Sequence, residues 1–303
     1  METPERSARR PLDATALARV TRRLQTADQP PWLHGEVARR MAERLPIVKL
    51  QPRCVIDWGS FIGASREVLQ VAYPQADYVA VEADARRCAD TAATLTRPWW
   101  SPQRWAGPTA SALTPAQVPA GRGQLLWANM VLHGMADPQQ ALQQWQAAVA
   151  VDGFLMFSTL GPGTLEALSA LYRHAGWPTP FAPFVDMHDL GDMLLHAGFA
   201  DPVMDQETIT LTWPNAQSLL DELRTLGGNV ALDRPGGLRT PRWRRELMDR
   251  LQAGAGPDGR LSLAFEIVYG HAFRPPPKAR VTAETAVPLA DLRAMVKAGR
   301  RGS

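Results

Sequence analysis

The chain has 303 residues, 45% hydrophobic and 21% charged, with a net charge of +3, which is the composition of an ordinary globular protein large enough to bury a real core as one large domain or two small ones. No window approaches the roughly 20 apolar residues that cross a bilayer, and Met1 to Leu12 is polar and basic with no apolar run behind it, so neither a membrane span nor a signal peptide is expected. Two cysteines, Cys54 and Cys88, supply neither a disulfide framework nor metal-ligand spacing, so a reducing cytoplasm is the expected compartment and no metal is expected.

Basic residues gather at the ends: Arg6, Arg9 and Arg10 at the start, and Lys278, Arg280, Arg293, Lys297, Arg300 and Arg301 at the finish. They read as solvated tails, or as a surface that steers an acidic partner. No aromatic-interleaved basic stripe accompanies them, so nucleic acid is not expected. The division that follows is a flexible basic segment over 1–30, a folded domain over 31–274 and a disordered basic tail over 275–303.

In chain order, Pro31 to Leu45 reads as a helix, with Val37, Met41 and Leu45 on one face and Pro46 ending it. Arg53 to Trp58 is a short apolar run suited to a strand covered on both faces. Ala64 to Val71 is helical, Tyr78 to Glu82 is a second strand, and a helix follows through Ala83 to Leu95. Arg97 to Gly123 has no clear period, with a third strand placed near Arg104 to Ala106 and the tryptophans Trp99, Trp100 and Trp105 pinning the irregular chain. Gln124 to Asn129 is a fourth strand. Asp137 to Val149 is a helix opened by Asp137-Pro138 as N-cap and first residue. Val151-Asp152-Gly153 turns into a fifth strand, Phe154 to Leu160.

Beyond it, Thr164 to His174 is helical. So is Asp186 to Gly198, capped by Asp186 and closed by Gly198. Val203 to Trp213 alternates, with Thr208, Thr210 and Thr212 opposite Ile209, Leu211 and Trp213. Asn215 to Leu226 and Arg242 to Leu251 are helices, and Leu261 to Phe273 is a long final strand whose Tyr269 and His271 read as core. A weak helix is placed at Leu289 to Ala298. Strands alternating with helices predict an α/β, Rossmann-like domain: a mostly parallel seven-stranded sheet ending in an antiparallel strand, with helices on both faces.

In such a sheet ligands lie outside the carboxyl ends of the strands. Those ends carry Asp57-Trp58-Gly59, Glu82, Asn129 and Ser158-Thr159 in turn. An acid ending the second strand suits a ribose diol, because a carboxylate accepts two hydroxyl hydrogen bonds at once. Glycines at 59 and 63 let backbone approach a ligand. A nucleoside-bearing ligand follows. A nicotinamide dinucleotide calls for G-x-G-x-x-G, which Phe61 breaks. A short-chain dehydrogenase needs a Tyr four residues before a Lys, and positions 77, 82, 176 and 273 hold Asp, Glu, Gly and Phe. Asp57, Gly59, Gly63 and Glu82 instead match in type and spacing the D-x-G-x-G-x-G loop and following acid of a class I methyltransferase.

Phe157-Ser-Thr-Leu-Gly-Pro-Gly-Thr164, Ser218-Leu-Leu-Asp-Glu-Leu-Arg-Thr-Leu-Gly-Gly228 and Phe265-Glu-Ile-Val-Tyr-Gly-His-Ala-Phe273 resemble the biotin-pathway malonyl-acyl-carrier-protein O-methyltransferases. The likeness spans about 129–274 and is thin over 31–123. It implies methyl transfer from S-adenosyl-L-methionine to the free carboxylate of a malonyl thioester, with acidic acyl-carrier protein as partner. The ester hides a charge, so that the fatty-acid machinery elongates the chain toward pimelate. A carboxylate of ordinary pKa is already a nucleophile at pH 7 and needs no general base.

The residues expected at the cofactor are Asp57, Gly59, Ser60, Gly63, Glu82 and Asn129, with Asp57 on the loop amides or the cofactor amine. His133 is the candidate facing the transferred methyl. Thr159 and Gly161, beside Gly163, are substrate-side candidates, as is Arg234 among Arg239, Arg242, Arg244 and Arg245, a group suited to clamping a carboxylate or meeting the carrier. Four departures stand out. Phe61 replaces the middle glycine, no acid follows strand three near Gly107-Pro-Thr109, Gln124 opens strand four in place of an acid, and Trp32 and His34 stand in for a tyrosine-rich lid. At a position of positive φ, a residue as bulky as Phe61 costs about 1–2 kcal/mol. Two other readings stay open: a non-catalytic binding module that keeps the fold, and a methyltransferase for another small acid.

Overall fold

The computed structural model describes residues 10–96, 107–237 and 239–277. The readings on Arg6 and Arg9, on Trp99, Trp100 and Trp105, on a strand at Arg104 to Ala106, and on everything beyond 277, including the Leu289 to Ala298 helix, lie outside those residues. Among the described residues no helix is long and apolar enough to cross a membrane.

One sheet contains β1 (Cys54–Trp58), β2 (Asp77–Val81), β3 (Ala110–Leu113), β4 (Gly123–Ala128), β5 (Val149–Leu160), β6 (Ala200–Trp213) and β7 (Leu261–Phe273), in the order β3-β2-β1-β4-β5-β7-β6. From β3 through β5 neighbours pair in parallel; β7 inserts antiparallel between β5 and β6. The expected α/β architecture is present. The chain runs from β1 outward through β2 to β3 and then crosses back to place β4 on the other side of β1, which opens a crevice at the carboxyl ends of β1 and β4.

The helices are α1 (Ala14–Gln25), α2 (Trp32–Ala42), α3 (Ser60–Gly63), α4 (Arg66–Ala72), α5 (Ala85–Leu95), α6 (Pro138–Ala148), α7 (Glu166–His174), α8 (Met187–His196), α9 (Ala216–Leu226) and α10 (Pro241–Ala253). Alternation along the buried strands divides the core. Val55, Leu125, Trp127 and Phe154 face α2, α9 and α10, while Ile56, Leu126, Leu155 and Phe157 face α6 and α8. Val37, Met41 and Leu45 are all buried, as their spacing requires. Asp137, Asp186 and Asn215 cap their helices by accepting from Gln140, His188 and Ser218 N–H groups.

Three expectations need correction. The third strand is Ala110–Leu113, whose small residues Ala-Ser-Ala lack the β-branched pattern that marks a strand. Strand β5 runs back to Val149, with Asp152 at φ 61° as a left-handed kink inside it where a separate turn was expected. The segment read as flexible over 1–30 contains α1, capped by Asp13 and tied to the domain by a Leu12–Ala231 bridge. Its Leu17, Val20 and Leu24 stripe lies among the six arginines of the first 30 residues, which give the segment the composition of a tail.

Gly270 of β7 stands opposite Phe157 of β5 and Met204 of β6. A Cβ there would lie 2.3 Å from the Phe157 ring. Gly270→Ala is therefore expected to cost about 1–3 kcal/mol through overpacking. A fall in the denaturant midpoint at constant m-value would show it; an unchanged midpoint would mean the sheet shifts freely at this point.

Candidate functional site

A cavity of about 250 Å³ lies at the carboxyl ends of β1, β2 and β4. Its floor includes Trp58, Gly59 and Glu82, its wall Met130, Val131 and His133, and its roof Thr21, Leu24 and Gln25 of α1. His34 from α2 and Leu226 from the end of α9 complete two sides.

The loop after β1 turns at Gly59, whose φ of 73° is left-handed. A side chain there would meet Val131 Cγ1 at 2.5 Å, so glycine answers both the backbone conformation and the space. The following turn, α3, closes with Gly63 N–H donating to the Gly59 carbonyl at 2.7 Å. The Gly63 carbonyl accepts from Asn129 Nδ2 (2.6 Å) and from Ser65 Oγ (2.9 Å), and Ser65 Oγ accepts from Trp127 Nε1 (2.7 Å). Asn129 also donates to the His34 carbonyl (2.7 Å) and accepts from Ser158 Oγ (2.6 Å). Every polar group of this fully buried amide has a partner. Asn129, Gly63 and Ser60 are thus the frame beneath the cavity, and its wall is made by others.

Phe61 sits within α3 and is not among the residues of positive φ, so the strain considered for a bulky residue at this position does not arise. Its N–H donates to Glu82 Oε1 (3.1 Å), and its ring lies under the Arg87 guanidinium, 3.7 Å from carbon to centroid. The ring is not among the groups that line the cavity.

Glu82 is fully buried. Oε1 accepts from Phe61 N–H and from Thr91 Oγ1 (2.9 Å), while Oε2 has no partner. Burial is the largest cause that pushes its pKa up to about 7, with nearby Asp57 adding to it. Asp57, also buried, accepts from the Tyr78 hydroxyl (2.6 Å), which is itself bonded to Ser60 Oγ (2.7 Å). Burial raises its pKa to about 6. One oxygen of Asp57 is unpartnered, but the side chain does not line the cavity.

Two histidines of the cavity lining pack edge to face against each other, ring centroids 6.1 Å apart. His34 Nδ1 donates to the Ile62 carbonyl (2.8 Å), so in the neutral ring Nε2 carries the lone pair. Burial lowers its pKa to about 4. His133 is pushed down to about 3, first by burial and then by His34 and Arg10, and its Nδ1 has no partner. Arg10 donates to the His133 and Pro183 carbonyls and holds this loop from outside.

Gly59, Glu82 and His133 are therefore brought together. Thr159, Gly161 and Arg234 are not among the lining residues. Gly161 and Gly163 leave room for the Glu266 carboxylate, and Arg234 is paired with Asp13 at 2.8 Å, so it serves the start of α1. Arg239 covers the Trp243 ring at 4.5 Å. Trp32 is 62% exposed and contributes nothing to a lid, whereas His34 does line the site. Reasoning from sequence missed the roof altogether. Its signal was present: Asp13 as N-cap, then Leu17, Val20 and Leu24 at helical spacing.

No protein-family model matches the chain. It is 35% identical over 275 residues to the malonyl-acyl-carrier-protein O-methyltransferase of Laribacter hongkongensis, covering 87% of this chain and 90% of that protein. To the malonyl-acyl-carrier-protein O-methyltransferase of Gallionella capsiferriformans it is 34% identical over 260 residues, covering 83% and 87%. Among solved structures it resembles the YcgJ protein of Bacillus subtilis with a TM-score of 0.52 at 9% identity, over 80% of this chain and 99% of that one. A Bacillus halodurans protein described as a candidate methyltransferase gives 0.52 at 14%, over 78% and 99%. These two likenesses concern the fold alone.

Because Glu82 has a folded-state pKa above its ordinary value, the folded protein binds this proton more tightly than the unfolded chain does. Its contribution to stability is complete below the ordinary carboxylate range and is lost as pH rises through about 7. Glu82→Gln is expected to raise stability at pH 8 by about 1–3 kcal/mol, and by much less at pH 5. The difference between variant and wild type across pH isolates Glu82 from the two buried histidines, which act in the opposite direction at acid pH. Parallel stability profiles would contradict the assignment.

Proposed function

The chain belongs to the malonyl-acyl-carrier-protein O-methyltransferase family, and from that premise we propose that it methylates the free carboxylate of a malonyl thioester carried on acyl-carrier protein, with S-adenosylmethionine as methyl donor, in the route to biotin. The observation that carries the cofactor part is Glu82: a buried carboxylate at the end of β2 with one oxygen unpartnered, on the cavity beside Gly59. A buried acid of this kind costs stability unless a ligand completes it. A ribose diol, which donates two hydroxyls, is a fitting complement.

When bound, S-adenosylmethionine supplies a methyl group activated by a positively charged sulfur. The chain has little proton chemistry to perform. A malonyl carboxylate is ionised at neutral pH, and His34 and His133, both held neutral, neither take nor need to take its proton. What the residues provide is position and dryness. Gly59 lets the backbone approach a ligand, Glu82 accepts its hydroxyls, and Leu24, Met130, Val131 and Leu226 exclude water. His133, whose Nδ1 is unpartnered, lines the same cavity and as the Nδ1–H tautomer would donate to an oxygen of the acceptor.

This reading gives Gly59 and Glu82 direct cofactor roles. It makes Ser60, Gly63 and Asn129 positioning residues, and leaves Asp57 as the buried partner of Tyr78 under the loop. Thr159, Gly161 and Arg234 receive no substrate role. The exposed arginines of α10 and the turn before it offer cationic surface to an acidic carrier.

Purified protein incubated with methyl-labelled S-adenosylmethionine and malonyl-acyl-carrier protein is expected to form a base-labile methyl ester on the carrier. Cofactor binding without any transfer to malonyl-carrier would overturn the substrate assignment. Glu82→Ala is expected to raise the cofactor KM by about 10–100-fold, the loss of charge-assisted hydrogen bonds worth about 1.5–3 kcal/mol. An unchanged cofactor KM would remove Glu82 from the binding site.

A further inference from the structure

Phe61 replaces the middle glycine of the loop, yet its surroundings show a contact that glycine could not make. The Arg87 guanidinium lies over its ring at 3.7 Å. The other side of the same guanidinium serves α1: Arg87 Nε donates to the Gln25 carbonyl (2.6 Å), and Nη2 donates to the Gln25 and Ala27 carbonyls (3.1 Å for the latter). Gln25 is the last residue of α1 and lines the cavity. One cation thus lies between the loop on the cavity floor and the C-terminal carbonyls of the helix that roofs it. A positive charge at a helix C-terminus is favourable in its own right.

We propose that Phe61 and Arg87 form a strut that seats α1 over the cavity, making Phe61 a positioning residue for cofactor capture. This rests on the reading of the cavity as the S-adenosylmethionine site. The cavity of about 250 Å³ is near the lower end of the roughly 300–1,000 Å³ of most small-molecule sites, so the seating of α1, which forms its roof, sets the room left for a ligand. The other long-range side-chain hydrogen bonds of α1 act elsewhere. Asp13 with Arg234 holds its N-terminus, and Arg23 reaches the Arg224 and Gly227 carbonyls from its outer side. Arg87 alone among these touches both the end of α1 and the loop. Phe61 also donates its N–H to Glu82, so the residue supporting the strut is bonded to the carboxylate that would hold the ribose. Ligand at Glu82 and closure of α1 are thereby linked, and the linkage is reciprocal.

The test compares wild type with Phe61→Gly, Phe61→Leu, Phe61→Tyr and Arg87→Gln. Hydrogen exchange over 14–25 is measured on the ligand-free proteins, and S-adenosylmethionine affinity by calorimetry. Phe61→Gly, Phe61→Leu and Arg87→Gln are expected to exchange faster in α1 and to bind about fivefold more weakly, the scale of one lost cation–π contact. Phe61→Tyr, which keeps the ring, is expected to match wild type in both. Unchanged exchange in α1 for Phe61→Leu and Arg87→Gln would overturn the strut, as would equal or tighter binding by Phe61→Gly. If wild type gives no heat with S-adenosylmethionine, the cofactor reading fails, while the exchange data still decide whether the strut exists.

Discussion

The side chain of Asn129 joins four parts of the chain that are far apart in sequence. Its amide donates to the carbonyls of His34 and Gly63 and accepts from Ser158, so the start of α2, the turn after β1, and the ends of β4 and β5 meet at one buried group. Removing such an amide would leave buried carbonyls without donors, which costs more than the hydrogen bonds themselves contribute. Because this junction is fully satisfied, the turn at Gly59 to Gly63 is fixed without help from a ligand. That rigidity is what allows other groups at the same edge to remain unsatisfied.

Glu82 is the clearest of those. It is buried, its carboxyl pKa is raised, and one of its oxygens is unpartnered beside the cavity. Asp57 is raised for the same reason but is covered by Tyr78 and Ser60, so the two acids divide the work. One braces the loop from below, and the other borders the cavity with an unpartnered oxygen. The two histidines across from them are held neutral, which suits a transfer whose nucleophile arrives already ionised. Charge in the cavity lining is thereby confined to one carboxylate, and Leu24, Met130, Val131 and Leu226 keep its surroundings dry.

The sheet was largely legible in the sequence because β1, β2 and β4 are short apolar runs, β6 and β7 alternate, and helices separate them. Asp137, Asp186 and Asn215 mark their helix starts as plainly in the letters as in space. β3 was not legible, since Ala110 to Leu113 takes its strand character from pairing with β2 and has little of its own. At the site, Gly59 and Glu82 could be read from their places at strand ends. The covering of Asp57 by Tyr78 depends on register between β1 and β2, which local patterns do not encode. Phe61 was the hardest case. A glycine pattern makes it look like damage, and only its contact with Arg87, 26 residues on, shows where the ring goes. The roof was missed because the arginines within and around α1 gave that stretch the composition of a tail, although its apolar stripe was there to be counted.

The central claim is that Glu82 is the carboxylate completed by the cofactor. Calorimetric titration with S-adenosylmethionine in buffers of different ionisation enthalpy measures it most directly, because a carboxyl with a pKa of about 7 must shed its proton to accept two hydroxyls. The account requires proton release on binding that approaches one proton near pH 6 and vanishes by pH 9, with the pH-dependent part absent in Glu82→Gln. Binding that releases no proton at pH 6, or the same release in Glu82→Gln, would contradict it.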